Sequence, residues 1–404
     1  MKFVGNRLKK LLAVASVAFM TTAFAGCGDE SAGGSSVADV QNTDANLVVV
    51  GVNFEMTGNQ ANYGNAAKEG LELALKESND AGGVNGKTFK IVEADTKSEA
   101  AESVNAATKL ISEDHVNVIV GPAVTANVIA ESQVATDSKI PVIAPAATNP
   151  DVTVENGKVK PYIFRSCFID PQQGSVMAKF AATELNAKTA VMYLDSSSDY
   201  SKSLGTVFKG TFESAGGQVL MEEAFLAKDQ DFKAALTKLK TANADVMFVP
   251  AYYEEVGKIV KQARELGIES VILGTDGWDD PKVIDIAGAP ALNNTYFCTH
   301  YFDGDDEVQP FVQAYSNEYG HSPNVFSALG YDAGKMLIDA VKRSDSNNGE
   351  KIRDALETTK DLQVGTGVIT VDANHNPIKG TVILATTDGM RSVRAKIAPD
   401  APQQ

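Results

Sequence analysis

At 404 residues the chain exceeds the size at which a single hydrophobic core usually keeps growing, so two lobes are expected. Its composition, 44% hydrophobic and 22% charged, argues against a fibre or a disordered polymer. The formal net charge of −16 argues against a nucleic-acid partner, whose phosphates need clustered Lys and Arg.

Residues 1–26 read as a secretory signal rather than as part of the fold. Lys2, Arg7, Lys9 and Lys10 form a positive start, and an apolar stretch runs from Leu11 to Ala25. That stretch is shorter than the roughly 20 residues a bilayer-spanning helix needs, which disfavours a transmembrane anchor. Phe24-Ala25-Gly26-Cys27 resembles a bacterial lipoprotein cleavage box, with Phe24 where the box usually carries Leu, so Cys27 is the expected lipidation site. Residues 27–45, rich in Gly, Ser and Asp, form a flexible tether reaching roughly 20–25 Å. Loss of the leader removes four positive charges and no acids, taking the mature chain to −20. The remaining cysteines, Cys167 and Cys298, have no metal-binding spacing, and an exported chain permits them to pair.

From Leu47 short β-branched runs alternate with amphipathic helical stretches. The runs are VVVGVNF from Val48, FKIVEAD from Phe89, VNVIVGP from Val116 and IPVIAPA from Ile140. Between them, Ala66, Ala67, Gly70, Leu71, Ala74 and Leu75 line one helical face, and Ala101, Val104, Thr108 and Ile111 line another. The same grammar restarts after Asp170, with TAVMYLD from Thr189, GGQVLMEEAF from Gly216, DVMFVPAYY from Asp245 and SVILGTDGW from Ser270. A helix with Val256, Ile259, Val260, Ala263 and Leu266 on its apolar face joins the last two runs. Near-continuous apolar strands alternating with helices predict an α/β fold of two doubly wound parallel-sheet lobes. In such sheets ligands bind in the crevice outside the carboxyl ends of the strands.

Four strand-end loops carry polar residues suited to a small solute. Thr125, in VGPAVTANVIAES, sits at a helix start, where free N–H groups suit a carboxylate, although the residue can equally cap its own helix. Thr148, in APAATNPDVT, lies between two prolines that hold the backbone extended, as either a ligand contact or an ordinary polar turn. Tyr252 and Tyr253 end a strand, where rings wall a pocket or simply pack. Asp276, in LGTDGWDDP, follows a buried strand beside the only tryptophan, Trp278; a desolvated carboxylate there wants a cation, whereas a solvated turn would not. Together these loops complement a zwitterion.

In order along the chain, VGVNFEMTGNQANYGNAAKEGLELALKESNDAGGVNGKTFKIVEAD, VIVGP, IAPAATNP, YIFRSCFIDPQQG, KQARELG and GTDGW resemble the periplasmic leucine/isoleucine/valine-binding proteins of bacterial ABC importers. The resemblance spans nearly the whole mature chain. It implies a type I periplasmic binding protein, with a three-crossing hinge near residues 165–168, 297–301 and 368–372. The lobes would comprise residues 46–165 with 300–368, and 166–299 with 369–404. It further implies that Thr125 binds the ligand carboxylate through its hydroxyl and N–H, that the segment of Ala146 and Thr148 holds both ends of the ligand through carbonyl, amide and hydroxyl, that Asp276 takes the α-ammonium, and that Tyr63, Tyr200, Tyr252 and Tyr331 surround the side-chain pocket. Some members of the family carry Glu at the position of Asp276. Ala123 and Val124 are smaller than the residues usual there, so side-chain specificity does not transfer. The implied hinge places Cys167 and Cys298 on neighbouring crossings, close together, with a disulfide left open.

GGVNGKT around Gly82 is one residue short of a phosphate loop and stands between a helix and a strand, the wrong order. GxSxG, HExxH and GxGxxG are absent, His115, His300, His321 and His375 do not cluster in sequence, and the acidic run from Asp303 lacks calcium-loop spacing. The expectation is therefore a monomeric, membrane-tethered, extracytoplasmic solute-binding lipoprotein without cofactor, metal or catalysis. It would capture a branched-chain or other apolar amino acid by lobe closure and deliver it to an ABC permease. The alternative is a ligand-sensing module for a small amide or other neutral amino acid. An amide hydrolase using Asp276 is the least favoured reading, since no nucleophile–base pair is visible.

Overall fold

The computed structural model describes residues 41–398; the expected leader, Cys27 and most of the tether lie outside them. In chain order the first elements are β1 (Leu47–Phe54), α1 (Ala61–Asp80), β2 (Thr88–Asp95), α2 (Ala100–Ser112), β3 (Val118–Val120), α3 (Thr125–Asp137) and β4 (Val142–Ala144). A two-residue hairpin, β5 (Val154–Glu155) and β6 (Lys158–Val159), precedes β7 (Ile163–Arg165). There follow α4 (Asp170–Thr183), β8 (Thr189–Asp195), α5 (Asp199–Ser214), β9 (Gln218–Phe225), α6 (Lys233–Lys240), β10 (Val246–Phe248), α7 (Tyr253–Glu265), β11 (Val271–Gly274), α8 (Lys282–Ala287) and β12 (Thr295–Thr299). The chain ends with α9 (Gln309–Tyr319), α10 (Val325–Ser344), α11 (Gly349–Glu357), β13 (Leu362–Val364), β14 (Gly367–Ile369), β15 (Thr381–Thr387) and β16 (Met390–Ile397).

Two parallel sheets organise these elements. The first has the order β2-β1-β3-β4-β7, and the second β9-β8-β10-β11-β12, extended by antiparallel β15 and β16. In the first lobe Val48, Val50, Val52 and Phe54 of β1 face α1 and α10, while Val49 faces the layer of α2 and α3, so both sides are covered. That double burial is why the strands read as unbroken apolar runs. The winding direction reverses between β1 and β3 in one sheet and between β8 and β10 in the other. Doubly wound sheets open a crevice at such points.

The chain passes between the lobes three times, at 166–169 before α4, after β12, and between β14 and β15. One helical face differs from expectation. In α2 the buried stripe is Ser103, Ala106, Ala107, Leu110 and Ile111; Ala101 and Thr108 are exposed and Val104 is only half-buried. Ala107, Leu110 and Ile111 pack with Val128 and Ala135 of α3, which leaves Val104 at the edge of the stripe. Cys167 on the first crossing and Cys298 in β12 are both buried free thiols, so no bridge joins them. Burial pushes the Cys167 thiol up to about 12, which leaves it protonated and unreactive.

Candidate ligand-binding cleft

The cleft is assembled at the two winding reversals. On the first lobe the loop after β3 leads into α3, whose first residue is Thr125. Its hydroxyl does not cap the helix: Thr125 is buried and its Oγ1 has no hydrogen-bond partner. The loop is fixed from beneath by Glu55, one residue past β1, whose carboxylate accepts from the N–H groups of Ala123 (3.0 Å) and Val124 (3.2 Å) and from Asn127 Nδ2 (2.8 Å). Burial raises the Glu55 pKa and these donors oppose the rise. With the preceding two N–H groups taken, the next donors of the helix start belong to Thr125 and its successor.

Thr148 follows β4 and is fully buried, again with Oγ1 unpartnered. Its loop is clamped by Arg165, a buried guanidinium at the end of β7 that donates to the carbonyls of Ala147 (2.7 Å) and Asn149 (2.9 Å) and to Thr153 Oγ1 (3.0 Å). Ala146 lies in the same loop and is 8% exposed. A buried hydroxyl without a partner costs about 1–3 kcal/mol. Two such groups on adjacent strand ends mark a place built for a further polar group.

The second lobe presents acids and rings. Asp276 opens a single 3-10 turn after β11 and is 4% exposed, which disposes of the solvated-turn reading. Tyr200, in the first turn of α5, donates to Asp276 Oδ1 (2.7 Å) and accepts from the Gly277 N–H (3.1 Å). His300 Nε2 lies 3.3 Å from Asp276 Oδ2. Gln173 Oε1 accepts from the Asp276 N–H at 3.1 Å. Tyr252 stacks on Tyr200 with centroids 5.0 Å apart. Burial, with Asp276 adding, holds the Tyr200 hydroxyl well above its usual pKa, so it stays a donor.

The lobes touch across this site. Tyr63, in the first turn of α1, donates to the Gly277 carbonyl (2.6 Å) and accepts from the Tyr253 N–H (2.8 Å). Its ring meets Tyr252 edge-on at 5.7 Å and stacks on Phe326 of α10 at 3.9 Å. Tyr63, Tyr200, Tyr252 and Asp276 are thus joined by direct contacts or through Gly277, while Thr125, Ala146 and Thr148 stand at strand ends of the first lobe. Tyr331 takes no part in this cluster: its hydroxyl donates to Glu77 Oε2 (2.7 Å) and its ring lies against Phe311, five residues further along α10 than the ring that reaches Tyr63. Tyr331 is on the same helix as Phe326, but that helix carries it away from Tyr63, into the core between Phe311 and Glu77.

Asp170 was not legible as a site residue. It starts α4, is fully buried, and neither oxygen closes a well-formed hydrogen bond, while the Thr148 and Ser203 hydroxyls beside it oppose the rise in its pKa. Burial first, and the charge of Asp276 next among the raising influences, push its pKa up to about 7. The visible signal was an acid directly before a proline where a strand end meets a helix. Among the described residues no group of three or more His, Cys, Asp or Glu could hold a metal.

Comparison with known proteins bears on the family and the fold. Residues 48–391 match the family model described as periplasmic binding protein. A leucine-, isoleucine-, valine-, threonine- and alanine-binding protein of Pseudomonas aeruginosa is 27% identical over 312 residues, covering 77% of this chain and 82% of that relative. The crystal structure of a leucine-binding protein from Thermotoga maritima superposes with a TM-score of 0.82 at 36% identity, covering 87% of this chain and 99% of that one. A branched-chain amino acid transporter substrate-binding protein from Streptococcus pneumoniae, in complex with isoleucine, gives 0.81 at 36% identity, covering 88% and 100%.

Proposed function

The chain belongs to the periplasmic binding protein family, and from that premise we propose that it captures an α-amino acid with an apolar, branched side chain for an ABC importer. The observation that carries this reading is the presence of two threonine hydroxyls without a hydrogen-bond partner, on Thr125 and Thr148, together with two buried carboxylates, Asp276 and Asp170, the second beside Thr148, whose carbonyl accepts from the Asp170 N–H at 2.9 Å. A carboxylate suits the helix start at Thr125, and an ammonium suits the acids. The relatives that bind leucine and isoleucine support the branched-chain assignment. Tyr63, Tyr200 and Tyr252 wall the side-chain end.

The ligand leaves unchanged, since binding and release by lobe closure are the whole task of such a receptor. Differential affinity for the closed state comes from contacting both lobes at once. We read Cys27 as the lipidated first residue, tethering a monomer outside the membrane within reach of its permease. A thermal-shift screen of the twenty amino acids tests the reading. At hundredfold excess over Kd a true ligand adds about 2.7 kcal/mol to folded-state stability. Leucine, isoleucine or valine should give that shift, their des-amino analogues should not, and Asp276→Ala should abolish it while leaving the unliganded protein folded. Undiminished binding by Asp276→Ala would overturn the cation site.

A further inference from the structure

His300 lies on the second crossing, directly after β12, and its side chain is fully buried. Its ring is stacked on Phe168 of the first crossing, with centroids 3.5 Å apart and planes 15° from parallel. Nε2 faces Asp276 Oδ2 at 3.3 Å, whereas Nδ1 is buried with no partner. The other charged groups facing the ring are Lys379 from the third crossing and Asp332 from α10. These two form a buried ion pair of 2.9 Å, and Lys379 also donates to the Ser166 carbonyl of the first crossing at 3.1 Å. All three crossings therefore meet around one imidazole.

Burial is the leading reason the imidazole pKa falls to about 4, and the Lys379 charge adds to it; the ring is neutral near pH 7. With Asp276 Oδ2 as the acceptor of this contact, the ring proton sits on Nε2 and points at Asp276. An orphaned buried nitrogen is unfavourable, and a phenylalanine or leucine would fill the same space without one. Packing alone does not account for a histidine here.

We propose that His300 is a positioning residue that couples the ammonium-binding carboxylate to the hinge. It holds Asp276 Oδ2 from the second crossing while its ring moves with Phe168 of the first. Tyr200 and His300 then fix one oxygen each, so the carboxylate is aimed before the ligand arrives. This rests on Asp276 being the ammonium site, as proposed above.

Calorimetry with leucine as the probe, on Asp276→Asn, His300→Leu, His300→Phe and His300→Gln, separates the two ideas. His300→Leu and His300→Phe should bind leucine about tenfold or more weaker than the parent, the loss expected for a hydrogen bond to a charged group. Their unliganded melting temperatures should be unchanged or higher, because the orphaned nitrogen is gone. Glutamine can place an N–H where Nε2 stands, so His300→Gln should return to within about threefold. Wild-type affinity in both apolar variants, or a glutamine variant as weak as they are, would overturn the proposal. If Asp276→Asn binds like the parent, the ammonium site itself is wrong; if it loses binding while His300→Leu does not, only the coupling is.

Discussion

At the first turn of α4 Asp170 holds its carboxylate enclosed beside a second acid, with neither oxygen closing a well-formed hydrogen bond. Its pKa is pushed from the ordinary 3.8 to about 7, chiefly by burial. An acid whose folded-state pKa is raised contributes stability fully present below its unfolded value and lost as pH climbs towards the folded one. The unliganded protein should therefore lose stability between about pH 4 and pH 7, and Asp170→Asn should flatten that slope in denaturation measured across the range. A ligand ammonium reverses the preference. Leucine binding near pH 6 should expel up to one proton, seen as a buffer-dependent calorimetric enthalpy that Asp170→Asn removes. The residues legible in the sequence were those in loops with an obvious polar purpose, Thr125, Thr148 and Asp276. Glu55, Arg165, Asp170 and His300 escaped because each is a charged or titratable group in or beside an apolar stretch. Their roles depend on what the fold brings over them from distant segments.

Helices set how these residues are presented. α1 carries Tyr63 into the cleft and α10 carries Phe326 beneath it, and the two helices approach backbone to backbone. A Cβ on Gly330 would stand 2.0 Å from the Ala67 carbonyl oxygen, and one on Gly70 would stand 1.9 Å from that of Ser327. Gly330→Ala must separate the pair and should lower unfolding stability by about 2 kcal/mol. Gly210→Ala, on the exposed side of α5 with open space around it, should instead raise stability by about 0.5–1 kcal/mol. Denaturant titration of the two variants checks the sign of each; a neutral Gly330→Ala would mean the helices pack more loosely than described. Sequence periodicity located α1, α2 and α7 and gave the correct faces of α1 and α7. It misplaced the stripe of α2, of whose predicted members only Ile111 is buried; the family resemblance, in turn, put Tyr331 at the pocket, whereas its hydroxyl donates to Glu77.

On the scale of the whole molecule, the repeated strand–helix grammar already implied two doubly wound lobes, because only sheets covered on both faces produce such apolar runs. What the pattern could not carry was the long-range pairing that returns β15 and β16 to the second sheet after a long excursion through the first lobe. That return forms the third crossing and brings Lys379 to the hinge. The lobes meet through Tyr63 and Gly277, through Asn62 and Asp280 at 3.3 Å, and through an exposed Glu99–Lys228 pair at 2.8 Å. The exposed pair contributes little. In the proposed reading the ligand adds a further bridge to these direct contacts, and a crystal structure of the protein with leucine tests this most directly. The carboxylate should lie at Thr125 and Thr148 on the first lobe, and the ammonium at Asp276 and Asp170. A leucine held by residues of one sheet alone, or bound with its charges reversed, would contradict the account.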